Sequence, residues 1–107
     1  KYTWQQSGLL IRPARDAGEV VMEGRILHHC VGDDHQRYLS NYNQNKAIIL
    51  VIRHENEPDK PYITVEYKNN KVQQWYGIRD TKPDKEIIDS FLKAYVAHIT
   101  GKAGKAG

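Results

Sequence analysis

Lys46-Ala-Ile-Ile-Leu-Val-Ile-Arg53 is the stretch that decides the fold. It runs apolar without a break from Ala47 to Ile52 and closes on an arginine. A short run of this kind, rich in β-branched residues and flanked by polar sequence, reads as a strand covered on both faces, which places it centrally in a sheet.

The stretches that follow build outward from it. Glu55-Asn-Glu-Pro-Asp-Lys-Pro61 is a turn with two prolines. Tyr62-Ile-Thr-Val-Glu-Tyr67 alternates, with Ile63, Val65 and Tyr67 on one face and Tyr62, Thr64 and Glu66 on the other. Asn69-Asn70 suits a two-residue hairpin turn at positive φ, and Val72-Gln-Gln-Trp-Tyr-Gly77 is the returning strand. Its register has two solutions. A strict two-residue turn pairs Glu66 with Gln73 and Thr64 with Trp75, whereas a three-residue loop with a bulge sets Gln74 opposite Thr64.

Upstream, Gly8-Leu-Leu-Ile-Arg-Pro13 reads as a short strand that is at an edge or ends at the proline. Asp16 caps a helix running through Glu23, and Gly24 stands where a left-handed terminator is wanted. Ile26 and Leu27 lead into His28-His29-Cys30. After Gly32, Asp33 or Asp34 opens a second helix carrying Tyr38, Leu39 and Tyr42. At the other end, Asp80 or Thr81 caps a last helix with Pro83 in its first turn. Ile87, Ile88, Phe91, Leu92, Tyr95 and Ile99 form its apolar stripe. The order is β-α-α-β-β-β-α. The expected architecture is α+β, an antiparallel meander with helices packed on it, in a single domain over residues 1–100. Residues 101–107, a small repetitive Gly-Lys-Ala segment, read as a disordered tail.

Composition narrows the function classes. The chain has 107 residues, 39% hydrophobic and 27% charged, as expected of a globular domain. No apolar run reaches membrane-spanning length, and a single cysteine excludes an internal disulfide, so the expected setting is cytoplasmic and reducing. The formal charge is +3, of which Lys102 and Lys105 supply two, leaving +1 on residues 1–101. That bias is too small to indicate nucleic acid by charge alone. The chain starts at Lys1 rather than Met, which fits a domain of something longer. There is no glycine-rich phosphate loop of dinucleotide or P-loop type, and no cofactor is expected.

Three groupings carry chemistry. Cys30 precedes a helix start, where a thiolate is stabilised, with His28, His29, His35 or His54 as a base; as a small buried hydrophobe it needs none of them. His28, His29, Cys30 and His35 offer metal-ligand atoms but no paired CxxC or HxxxH spacing, so no metal is expected. On the sheet, Arg53, Thr64 and Glu66 lie on adjacent strands. An Arg, a Glu and a His can act on a phosphodiester without metal, the carboxylate as base, the imidazole as acid and the guanidinium on the phosphate. The plain alternative is a solvated face with an Arg–Glu cross-strand pair. Tyr62, Tyr67, Trp75 and Tyr76 add a sheet on which bases could stack, although aromatics are common in strands for packing reasons.

Glu23-Gly24-x-x-Leu27-x-His29-Cys30-Val31-Gly32, then Tyr38, Ile48 to Arg53, Glu57-Pro-Asp-Lys-Pro61, Thr64-Val-Glu66 and Gln74-x-x-Gly77, together resemble the PcfJ-like proteins. These belong to conjugative plasmids, phages and related mobile elements. The resemblance runs from about Leu9 to Leu92. It implies a recurrent domain of a longer protein, with no settled reaction, and it marks His29, Cys30, Gly32, Tyr38, Arg53, Thr64, Glu66, Gln74 and Gly77.

The expectation is a mobile-element domain acting on RNA or DNA as a metal-independent ribonuclease-like enzyme. Its candidate catalytic set is His29, Cys30, Tyr38, Arg53, Thr64, Glu66 and Gln74, with His29, Arg53 and Glu66 converging in one cleft. A cysteine-dependent hydrolase or transferase using Cys30, and a non-catalytic binding or assembly module of the longer parent protein, are the alternatives.

Overall fold

The computed structural model describes residues 2–27 and 48–101. Five strands form one antiparallel sheet in the order β1-β2-β3-β4-β5: β1 Trp4–Gln6, β2 Leu9–Pro13, β3 Ile48–His54, β4 Ile63–Lys68 and β5 Lys71–Tyr76. Helix α1, Ala17–Leu27, lies between β2 and β3 in sequence, and α2, Lys85–Thr100, follows β5. The fold is α+β, as expected. The second helix expected from Asp33 or Asp34 through Tyr42 lies outside the described residues, as does the tail from Lys102.

The apolar run behaves as read. β3 is the central strand, and Ile49, Leu50, Val51 and Ile52 are all fully buried. Alternation then divides the sheet into two faces. Leu50 and Ile52 join Leu9, Ile11, Ile63, Val65, Tyr67 and Trp75 against Ile88, Phe91, Leu92 and Tyr95 of α2. Ile49 packs with Ala14 and Val20 on the face that carries α1. Within α2 the stripe holds except at Ile87, which is 61% exposed. One residue before Ile88 is about 100° away around the helix, off the buried face.

Three local readings are corrected. A strand was missed: β1 pairs with β2 through a tight Ser7-Gly8 turn, both residues at positive φ. Pro13 ends β2, one of the two readings offered for it, and β2 is an inner strand rather than an edge. Gly24 does not terminate α1; it is a buried residue inside it, and the helix continues to Leu27. The last helix is capped neither by Asp80 nor by Thr81. Thr81 donates both its amide and its hydroxyl to the Ile78 carbonyl, closing a short 3-10 turn over Ile78–Asp80. Asp84, in the left-handed region, becomes the capping residue, and Ile88 N–H donates to its carbonyl at 2.9 Å.

The β4–β5 hairpin combines both turn readings. Asn69 and Asn70 have φ of 56° and 64°, the two-residue turn expected. A bulge follows, because Tyr67 pairs with Val72 but Glu66 pairs with Gln74. Gln73 is the extra residue, and its amide donates to the Lys68 carbonyl at 2.8 Å. Gln74 therefore lies opposite Glu66, rather than opposite Thr64.

Candidate functional site

The face toward α1 carries a row of polar residues across four strands. Arg12 comes from β2, Arg53 from β3, Thr64 and Glu66 from β4, and Gln74 from β5. Arg53, Thr64 and Glu66 are buried, so the solvated-face reading does not hold. Burial of polar groups at this density requires partners, which α1 supplies for Arg53 and Thr64 and β5 for Glu66.

Asp16 starts the helix by accepting from Glu19 N–H at 2.9 Å. That fixes Glu19 and, one turn later, Glu23 on the buried side of α1. Like charges four residues apart on a helix repel, and here cations from the sheet neutralise both. Arg12 binds Glu19 with two parallel hydrogen bonds of 2.8 and 2.7 Å. Arg15 N–H donates to the same carboxylate at 2.7 Å. Arg53 pairs with Glu23 and also approaches Glu19, with Nη2 to Oε2 at 3.9 Å. The Thr64 hydroxyl donates to the other Glu23 oxygen at 3.0 Å. Gln74 Nε2 donates to Glu66 Oε1 at 2.8 Å.

The two helix carboxyls meet opposite electrostatics. Hydrogen bonds from Arg12 hold Glu19 well below its ordinary value of 4.5, at about 2. Burial pushes Glu23 up, against the Arg53 guanidinium and the Thr64 hydroxyl, which favour its charged form. Arg53 Nε is buried and has no hydrogen-bond partner among the described residues.

Of the sequence-derived site residues, Arg53, Thr64, Glu66 and Gln74 lie on one face. His28, His29, Cys30, His35 and Tyr38 lie outside the described residues, and so does the cysteine-based reading. His54 belongs to the opposite face from Arg53 and lies against Tyr62, with ring centroids 4.2 Å apart. Of the four aromatics on which bases could stack, α2 covers Tyr67 and Trp75, which are 3% and 4% exposed, and Tyr62 and Tyr76 are half-buried. Sequence reasoning missed Arg12, Glu19 and the role of Glu23. The Glu-x-x-x-Glu spacing of residues 19 and 23 was the available signal.

Fold and cluster define an α+β domain whose antiparallel sheet buries an ionic network beneath its first helix. The PcfJ-like protein family model matches residues 2–92, and the chain belongs to that family. It is similar to the uncharacterized protein Lin1253/Lin1744 of Listeria innocua, 29% identical over 76 residues. That match covers 71% of this chain and 16% of the relative's length, so the chain spans about one sixth of that protein. No solved structure matches the chain. No helix among the described residues is long and apolar enough to cross a membrane.

Proposed function

We propose that this is the nucleic-acid-acting domain of a longer mobile-element protein, cleaving phosphodiesters without a metal. The observation that carries the reading is the gathering of Arg53, Thr64, Glu66 and Gln74 on one sheet face, with Glu23 of the family motif joining Arg53 to Thr64. In this reading Glu66 is the general base, oriented by Gln74, and His29 is the acid. Arg53 acts differently from the sequence expectation. Its charge is matched by Glu23, so it positions Thr64 and the carboxylates rather than clamping phosphate.

A binding or assembly role in the parent protein is the second reading. The burial and neutralisation of Arg53 favour it, because a structural pin needs both and a phosphate clamp needs neither. Incubating the chain with labelled RNA and DNA in excess chelator tests the proposal. Cleavage by the wild type that falls at least ~100-fold in Glu66→Gln supports it. Binding without cleavage supports the second reading instead.

A further inference from the structure

β5 is the outer strand of the sheet on the side away from β1. Between it and α2 runs a groove of about 390 Å³ lined by Gln73, Gln74, Lys82 and Lys93 over the apolar Val72 and Val96. Its charge is positive. The lining carboxylate, Asp89, already accepts from Trp75 Nε1 at 3.0 Å and from Lys85 Nζ at 2.5 Å. Lys82 is held in place, its ammonium 4.4 Å from the Trp75 ring centroid and 4.9 Å from that of Tyr76. It also donates to the Trp75 carbonyl at 3.1 Å, leaving two further N–H donors on the ammonium. Lys71 is exposed at the start of β5, one residue before Val72 of the lining. The cavity at the start of α2, toward β2 and the end of β3, is different: among the described residues its lining holds Glu55 and Asp84 and no lysine or arginine.

We infer that the β5–α2 groove binds the phosphate backbone of single-stranded nucleic acid, an assignment that rests on the nucleic-acid reading of the polar cluster. Lys71, Lys82 and Lys93 contact phosphates, and the aliphatic floor takes sugars and bases. The Trp75 ring is covered, so no base stacks on it and base preference is weak. Gln74 connects the two sites, since it lines the groove and holds Glu66 at 2.8 Å. A strand laid along β5 therefore passes Gln74, with Glu66 behind it on the α1 face.

Fluorescence anisotropy with labelled single-stranded RNA and DNA oligonucleotides tests this on the full chain. Three phosphate contacts predict a log–log salt slope of about −2, a roughly 20-fold loss between 50 and 200 mM salt. Lys71→Glu/Lys93→Glu, at exposed positions, is expected to weaken binding at least ~10-fold, whereas Lys60→Glu in the β3–β4 loop leaves it unchanged. Lys82→Gln, read with a thermal melt because the side chain touches Trp75, is expected to weaken binding in a protein that still folds. Wild-type binding that survives the lysine double variant overturns the groove and leaves the nucleic-acid reading standing. No binding of either polymer by the wild type overturns both.

Discussion

Glu23 of α1 engages Arg53 of β3 and Thr64 of β4 at once, one carboxylate oxygen to each, and all three side chains are buried. This contact ties the first helix to β3 and β4. A carboxylate removed from water between two donors is held in one geometry, and its loss strands a buried guanidinium. Glu23→Leu is therefore expected to cost about 3–5 kcal/mol in urea unfolding, with Glu23→Leu/Arg53→Met recovering most of the loss. Losses that simply add would show that the pair is not coupled.

The pH dependence of stability separates the two helix carboxyls. Glu19 has a folded value of about 2 against an ordinary 4.5, so the unfolded chain binds the extra proton in that window. Its contribution is present above pH 4.5 and is lost as the pH falls toward 2. Glu23 is shifted the other way: its contribution is present below its ordinary value and declines as the pH rises through its raised folded value. Urea midpoints measured across acid pH are expected to fall less steeply in Glu19→Gln than in the wild type. An unchanged slope would contradict the Arg12–Glu19 assignment.

Gly77 marks a close approach. A Cβ there would lie 2.5 and 2.6 Å from Cδ and Cγ of Pro83. Its φ of −100° suits any residue, so the demand is for space alone. Gly77→Ala is expected to cost about 1–3 kcal/mol, and less in a Pro83→Ala background. Equal costs in the two backgrounds, measured by denaturation, would exclude Pro83 as the cause.

The bulge makes two neighbouring glutamines inequivalent. Gln74 holds Glu66, whereas Gln73 is exposed and bonds only to the Lys68 carbonyl among its described partners. Under the proposed function, Gln74→Ala is expected to lower cleavage about 10-fold and Gln73→Ala to leave it unchanged, because a base without its orienting partner loses geometry before it loses charge. Equal effects in the cleavage assay would contradict the register.

The parts of the fold legible in sequence were those set by periodicity. Ile48 to Ile52 announced a doubly covered strand, and Ile88, Phe91, Leu92 and Tyr95 announced the helix that covers one face. What escaped was set by competition for hydrogen bonds. Thr81 could have capped α2 but closes the preceding turn, which leaves the start to Asp84. The strand Trp4–Gln6 is too short to show alternation. The bulge at Gln73 depends on pairing that neither strand displays alone. At the site, Arg53, Thr64, Glu66 and Gln74 were visible as polar residues on strands. Arg12, Glu19 and the partners of Glu23 were not, because an ion pair across a helix–sheet interface leaves no local spacing beyond the paired glutamates.

The central proposal is that nucleic acid binds along β5 and reaches the polar cluster through Gln74. Backbone-amide NMR of the isotope-labelled chain, titrated with a short single-stranded RNA, tests it most directly. The account predicts shifts concentrated at Thr64, Glu66 and Gln74 and continuing along β5 to Lys71. Shifts confined to the Ser7-Gly8 end, or none at saturating RNA, would contradict it.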